Sequence, residues 1–175
     1  GELRQHINNN NLDLSLAEYI RIISGKTAAL FEASFFAGAV LGSASEAEIN
    51  IYKKIGNYAG LIFQLQDDCL DFDNTIETAK KPVQSDFEQG VITIPLIHAL
   101  GKLPHFKKKA LENKITRDDI NKAVDEAGGL DFTRQIIKRY YKKAEKNINR
   151  LDITEEKRKR LKAILQKASG TRAET

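Results

Sequence analysis

The stretch LIFQLQDDCLDF, Leu61 to Phe72, ends an apolar run in three aspartates, Asp67, Asp68 and Asp71. On a helix, Asp67 and Asp71 stand four residues apart and Asp68 and Asp71 three apart, so all three carboxylates share one face about one turn long. Gln64, three residues before Asp67, extends that face. Like charges at this spacing repel by about a few tenths of a kcal/mol per pair, and anions near a helix C-terminus oppose the macrodipole. Helix stability alone does not select such an arrangement. The apolar neighbours Leu61, Ile62, Phe63, Leu65 and Leu70 place the helix deep in a bundle, where unpaired charge is costly.

The rest of the chain fits an all-α protein. Its 175 residues read as one domain, 1–175, with a hydrophobic share of 41% and a charged share of 30% that exclude a disordered chain. Cys69 is the one cysteine, which excludes an internal disulfide and points to a reducing compartment, the cytoplasm. Every apolar run stops short of the roughly 20 residues of a membrane span, so no integral membrane association is expected. The net charge of +4 gathers late in the chain, in KRYYKKAEKNINR (138–150) and KRKR (157–160). These lysines and arginines alternate with positions such as Glu145, Ile148 and Leu151 at helical spacing, and read as solvated helix faces rather than a nucleic-acid interface.

From residue 15 onward apolar positions recur at three and four. That periodicity predicts helices over 15–24, 26–42, 46–73, 91–101, 106–113, 117–127, 130–150 and 155–168, with no strand. Ser15 with Glu18 and Ser45 with Glu48 have capping-box spacing, Thr116 is an N-cap candidate, and the pair Gly128 and Gly129 closes a helix. Asn8 to Asn11 read as a loop or frayed turn. Residues 74–90 form a long polar connection, broken by Pro82 and Gly90, of the kind that is often functional. His6, His98 and His105 lack metal-ligand spacing.

A hard divalent cation would relieve the aspartate cluster, because magnesium takes one or two carboxylates and completes its shell with water and phosphate oxygens. Groups for a phosphate partner are present: Lys26 and Thr27, where a helix is expected to start after Gly25, and Lys80 and Lys81 in the polar loop.

FQLQDDCLDF also resembles the second aspartate-rich motif, DDxxD, of the trans-isoprenyl diphosphate synthases, the polyprenyl synthetase family. GELRQ at the start, KTAALFEASFFAGAVLG (26–42) and KKPVQSDFEQGVITIPLIHAL (80–100) match that family in order, over roughly residues 1–101. The long-chain, octaprenyl-type bacterial synthases are the nearest group in character. The resemblance implies an all-α helical bundle of the isoprenoid synthase type, commonly a homodimer. It implies a prenyltransferase that condenses an allylic prenyl diphosphate with isopentenyl diphosphate, with Mg2+ stabilising the departing diphosphate.

Carried over position by position, the resemblance makes Asp67 and Asp68 magnesium ligands with Asp71 nearby, and sets Lys26 and Lys81 on the allylic diphosphate. Thr27 and Gln64 would line the same pocket, and Asp86 would support the loop. Thr93 and Pro95 match as structural residues, and Phe31, Phe35 and Phe36 read as core. Two departures stand out. The loop has Lys80 and Gln84 where the family commonly has glycine, which restricts positive-φ conformations. The family's first aspartate-rich motif lies upstream of a GELRQ-type segment and has no counterpart in residues 1–175, so the chain is expected to be the C-terminal portion of such a synthase and inactive alone. A non-catalytic helical subunit or binding module of a hetero-oligomeric synthase is the alternative expectation.

Overall fold

Hydrogen bonding along the backbone turns the three-and-four periodicity into helices, and there is no strand among the described residues. A computed structural model describes residues 1–72, 87, 89–112 and 114–170. In chain order the elements are α1 (Glu2–Ile7), α2 (Leu16–Ile23), a π turn (Ser24–Ala28), α3 (Ala29–Leu41) and α4 (Glu46–Leu70). They continue with α5 (Ile94–Lys102), α6 (Pro104–Leu111), α7 (Arg117–Glu126), α8 (Gly129–Ile148) and α9 (Glu155–Ala168).

Several expectations change. The break expected at Gly25 is absent: the helix runs through Ser24–Ala28 in a π turn, and the N–H of Ala29 donates to the Ser24 carbonyl, five residues back. The segment before residue 15 is not all loop, because Glu2–Ile7 form a helix. The aspartate helix stops at Leu70, not 73, and the helix expected from 91 begins at Ile94 with Pro95 in its first turn.

Start signals are met unevenly. Ser45 and Glu48 form a reciprocal box, with the Ser45 N–H donating to Glu48 Oε2 at 2.9 Å and the Glu48 N–H to Ser45 Oγ at 3.4 Å. Ser15 accepts from the Glu18 N–H at 3.1 Å, but the Glu18 carboxylate goes to Arg4 and Arg21 instead of completing the box. Thr116 and Asp119 form the full box on α7.

The described chain packs as two compact units. One comprises Gly1, Ile23–Gln66 and residues from Ile136 on. Its core includes an α4 stripe, Ile55, Ala59, Ile62 and Leu65, together with Ala144 and Ile148 of α8 and Leu165 of α9, all fully buried. Burial of each Ile or Leu contributes about 1.5–3 kcal/mol. The other unit comprises Glu2–Ile22 and Asp67–Gln135, with Tyr19, Ile22, Ile92, Ile94, Leu96 and Ile120 at its centre. There Gly90, at φ +79°, accepts from the Asn10 N–H at 2.7 Å and ties the asparagine run to the residues before α5.

Within the first unit, α4 approaches the π turn and α3 almost backbone to backbone. A Cβ on Gly60 would lie 2.5 Å from Ala28 Cα, and one on Gly56 would lie 2.7 Å from the Phe31 carbonyl oxygen. By contrast, a Cβ on Gly38 of α3 would meet nothing within 4 Å. The three α3 phenylalanines are not a closed core as expected. Phe31 and Phe35 are half-buried, Phe31 against Phe63 at a ring separation of 5.6 Å, while Phe36 is 45% exposed.

Two outcomes follow from this packing. Gly60→Ala should destabilise the fold by about 1–3 kcal/mol through overpacking against backbone, whereas Gly38→Ala should stabilise it by up to about 1 kcal/mol through helix propensity. Urea unfolding of both variants checks the pair. The second concerns His98, which stacks on Phe132 at 4.0 Å. Its burial, and then the Lys102 charge, push its pKa below the ordinary 6.5, opposed in part by a hydrogen bond to the Ala127 backbone. The unfolded chain then binds more protons just below pH 6.5, so this contribution to stability is complete above that pH and is lost as pH falls toward the folded-state value. The unfolding midpoint of the protein should fall between pH 7 and pH 5 more than that of His98→Phe.

Candidate active site

Lys26, Thr27 and Gln64 belong to the first unit. The π turn carries both Lys26 and Thr27, and Lys26 is exposed on it. Thr27 Oγ1 donates to Gln64 Oε1 at 2.7 Å, one turn beyond the Gly60 contact on α4. Thr27 and Gln64 are thus hydrogen-bonded neighbours. The π turn corrects the expected anion-binding helix start, because a helix that runs on through Ser24–Ala28 has no free N-terminus at Lys26. π turns inside α-helices are frequent at functional sites, since they rotate side chains out of the regular register.

Residues that the sequence reading missed brace this turn. Asn57 Nδ2 donates to Glu32 Oε2 at 3.2 Å and to Ser24 Oγ at 3.5 Å, and Lys53 Nζ lies 3.7 Å from Glu32 Oε1. Asn57 and Lys53 lie on the α4 turns that precede Gly60, four residues apart, which is a readable helical signal. Their partners were not readable, because pairing α4 with the π turn requires the fold.

The aspartates belong to the second unit, and their environments differ. Asp67 is exposed, Asp68 is fully buried and Asp71 is half-buried in the turn after α4, its N–H donating to the Asp67 carbonyl at 3.2 Å. Buried Tyr19 of α2, 2% exposed, donates its hydroxyl to Asp68 Oδ2 at 2.7 Å. The expectation of one uniform carboxylate face is therefore amended. Asp68 turns inward to a tyrosine, and among the described residues no group of three or more His, Cys, Asp or Glu side chains is gathered closely enough to hold a metal. The apolar back is also less buried than expected, since Phe63 is 47% and Leu70 41% exposed.

Tyr19 could have been suspected from sequence. It sits three residues before Ile22 on an apolar stripe, and a buried tyrosine hydroxyl needs a polar partner. Which partner it finds depends on a contact across 49 positions. Lys81, with Lys80, Gln84 and Asp86, lies outside the described residues, as does Pro82.

The donor chemistry suits a magnesium ion. Asp67 and Asp71 offer hard oxygens about one helical turn apart, and a short protein ligand set leaves room for water and phosphate. The Tyr19 hydroxyl fixes the Asp68 carboxylate, as outer hydrogen bonds do for acidic groups beside a metal. Tyr19→Phe should lower stability by about 1–3 kcal/mol, because the buried Asp68 side chain loses a hydrogen-bond partner. A midpoint unchanged in urea would show that the bond contributes nothing.

The family model for polyprenyl synthetase matches residues 1–127. Octaprenyl diphosphate synthase of Haemophilus influenzae is 34% identical over 126 residues, which cover 72% of this chain and 38% of that protein. Component 2 of the heptaprenyl diphosphate synthase of Bacillus subtilis is 31% identical over 156 residues, covering 86% and 44%. Among solved structures, a polyprenyl synthase from Caulobacter crescentus, complexed with calcium and isoprenyl diphosphate, has a TM-score of 0.84 at 31% identity and covers 98% of this chain and 54% of its own. The chain thus spans well under two thirds of the length of these relatives. No helix among the described residues is long and apolar enough to cross a membrane. With a family match over most of its length and an all-α fold shared with these synthases, the chain belongs to the polyprenyl synthetase family.

Proposed function

We propose that this chain forms the second-motif portion of a trans-prenyl diphosphate synthase, one domain of a longer helical fold, which elongates an allylic prenyl diphosphate with isopentenyl diphosphate. In that reaction the allylic C–O bond breaks and diphosphate leaves. A new C–C bond then forms from the homoallylic double bond, and a proton is lost. The observation that carries the reading is the divided state of the aspartates, one exposed and one buried on Tyr19, at the end of the helix that also holds Gln64.

Bound magnesium would supply charge neutralisation of the leaving diphosphate. Asp67 and Asp71 would hold it, with Asp68 oriented through the Tyr19 hydroxyl. Lys26, exposed on the π turn, would meet phosphate oxygens as a point charge, and Lys81 would add a second. The Thr27 and Gln64 bond would fix the turn so that Lys26 is presented in one direction. The Caulobacter relative's calcium and isoprenyl diphosphate support an oxygen-ligand cation beside a diphosphate. A cytoplasmic homodimer fits this reading.

The relative named as component 2 favours a second reading, in which the polypeptide acts as one component of a hetero-oligomeric synthase. Both readings need the aspartates only if the chain contributes to catalysis. In the full-length polypeptide carrying this sequence, assayed with labelled isopentenyl diphosphate, an allylic diphosphate and Mg2+, Asp67→Ala should lower turnover by about 100-fold or more, with an unchanged unfolding midpoint. Unchanged turnover rejects the catalytic assignment. Activity that appears only after adding a second polypeptide selects the component reading.

A further inference from the structure

A groove lined by none of the aspartates remains without a role. It lies within the first unit and has a volume of about 380 Å³, inside the range of about 300–1,000 Å³ common for ligand pockets. The second half of α3 and its C-cap make its floor with small residues, Gly38, Ala39 and Gly42, and α9 supplies the apolar wall with Leu161 and Ile164. The space above Gly38 is open, since a Cβ there meets nothing within 4 Å. Ile164 is 40% exposed at the groove.

The rim is cationic. Lys157 and Arg160 lie three residues apart on α9 and both line the groove, with Tyr52 of α4. Among the described residues Lys157 makes no ion pair within 4 Å. Glu48, the acid within electrostatic reach of it, is engaged by Ser45 through Oγ at 2.7 Å and N–H at 2.9 Å. Arg160 pairs with Glu156 at 2.5 Å, but both side chains are about three-quarters exposed, so the pair is weak and exchangeable. A planar guanidinium beside an ammonium suits the oxygens of a phosphate group.

We propose that this groove binds a single-chain anionic amphiphile, its apolar chain on Gly38, Ala39 and Gly42 and its phosphate-type head between Lys157 and Arg160. The ligand is a monomer from solution. The proposal does not depend on the reaction assigned above, because none of the residues placed in that reaction line the groove.

Calorimetric titration of the full-length polypeptide with dodecyl phosphate, below its micelle concentration and in EDTA, tests this. Saturable binding at one site is expected, weakened at least tenfold by Gly38→Phe, which fills the open space, and by Lys157→Glu, which reverses the rim charge. Dodecanol and inorganic phosphate should each bind at least tenfold more weakly, and Asp67→Ala should leave the affinity unchanged. Circular dichroism and unfolding midpoints confirm that the groove variants fold. Absence of saturable binding, equal affinity for dodecanol, or insensitivity to both groove variants overturns the proposal. Binding seen only with anionic lipid vesicles overturns it in favour of a bilayer contact.

Discussion

The close approach of α4 to the π turn and α3, through Gly56 and Gly60, is the constraint on which the placing of Lys26, Thr27 and Gln64 depends. With Cβ positions only 2.5–2.7 Å from neighbouring backbone atoms, no larger residue fits without pushing the elements apart. That contact allows Thr27 to reach Gln64, and Asn57 to reach both Ser24 and Glu32. The π turn is thereby tied to α4 at both Ser24 and Thr27. An extra residue per turn would otherwise be easily lost to regular α-helix, and Lys26 with it would change direction.

The aspartate end of α4 is organised by a different force. Three carboxylates within five residues repel one another, and the structure lessens the conflict by giving them different surroundings. Asp68 is withdrawn from water and met by the Tyr19 hydroxyl, whereas Asp67 stays exposed. A buried carboxylate with a short hydrogen bond keeps a fixed orientation, and an exposed one remains available to a cation. Tyr19 thus orients Asp68 without standing in the aspartate-rich stretch.

Helix α3 shows why composition and burial must be kept apart. Its sequence, ALFEASFFAGAVL, is apolar almost all round, yet among the described residues Leu30, Phe36, Val40 and Leu41 are well exposed and only Ala39 is fully buried. A helix hydrophobic on every side has more than one apolar face to cover. The face with the glycines lines the basic-rimmed groove against α9.

The sequence by itself determined the helical class, because three-and-four periodicity and caps such as Thr116 with Asp119 act through neighbours a few residues away. It also singled out Asp67, Asp68, Asp71, Gln64, Lys26 and Thr27, since residue types and spacing are local properties. The break expected at Gly25 failed for a physical reason: glycine lowers helix propensity by only about 1 kcal/mol, and packing of the π turn against Gly60 outweighs that. The Tyr19 partner, the exposure of Phe36 and the unequal aspartates could not be read from spacing. Each depends on which distant segments meet, 49 positions apart in the case of Tyr19 and Asp68, and only the tertiary structure decided that.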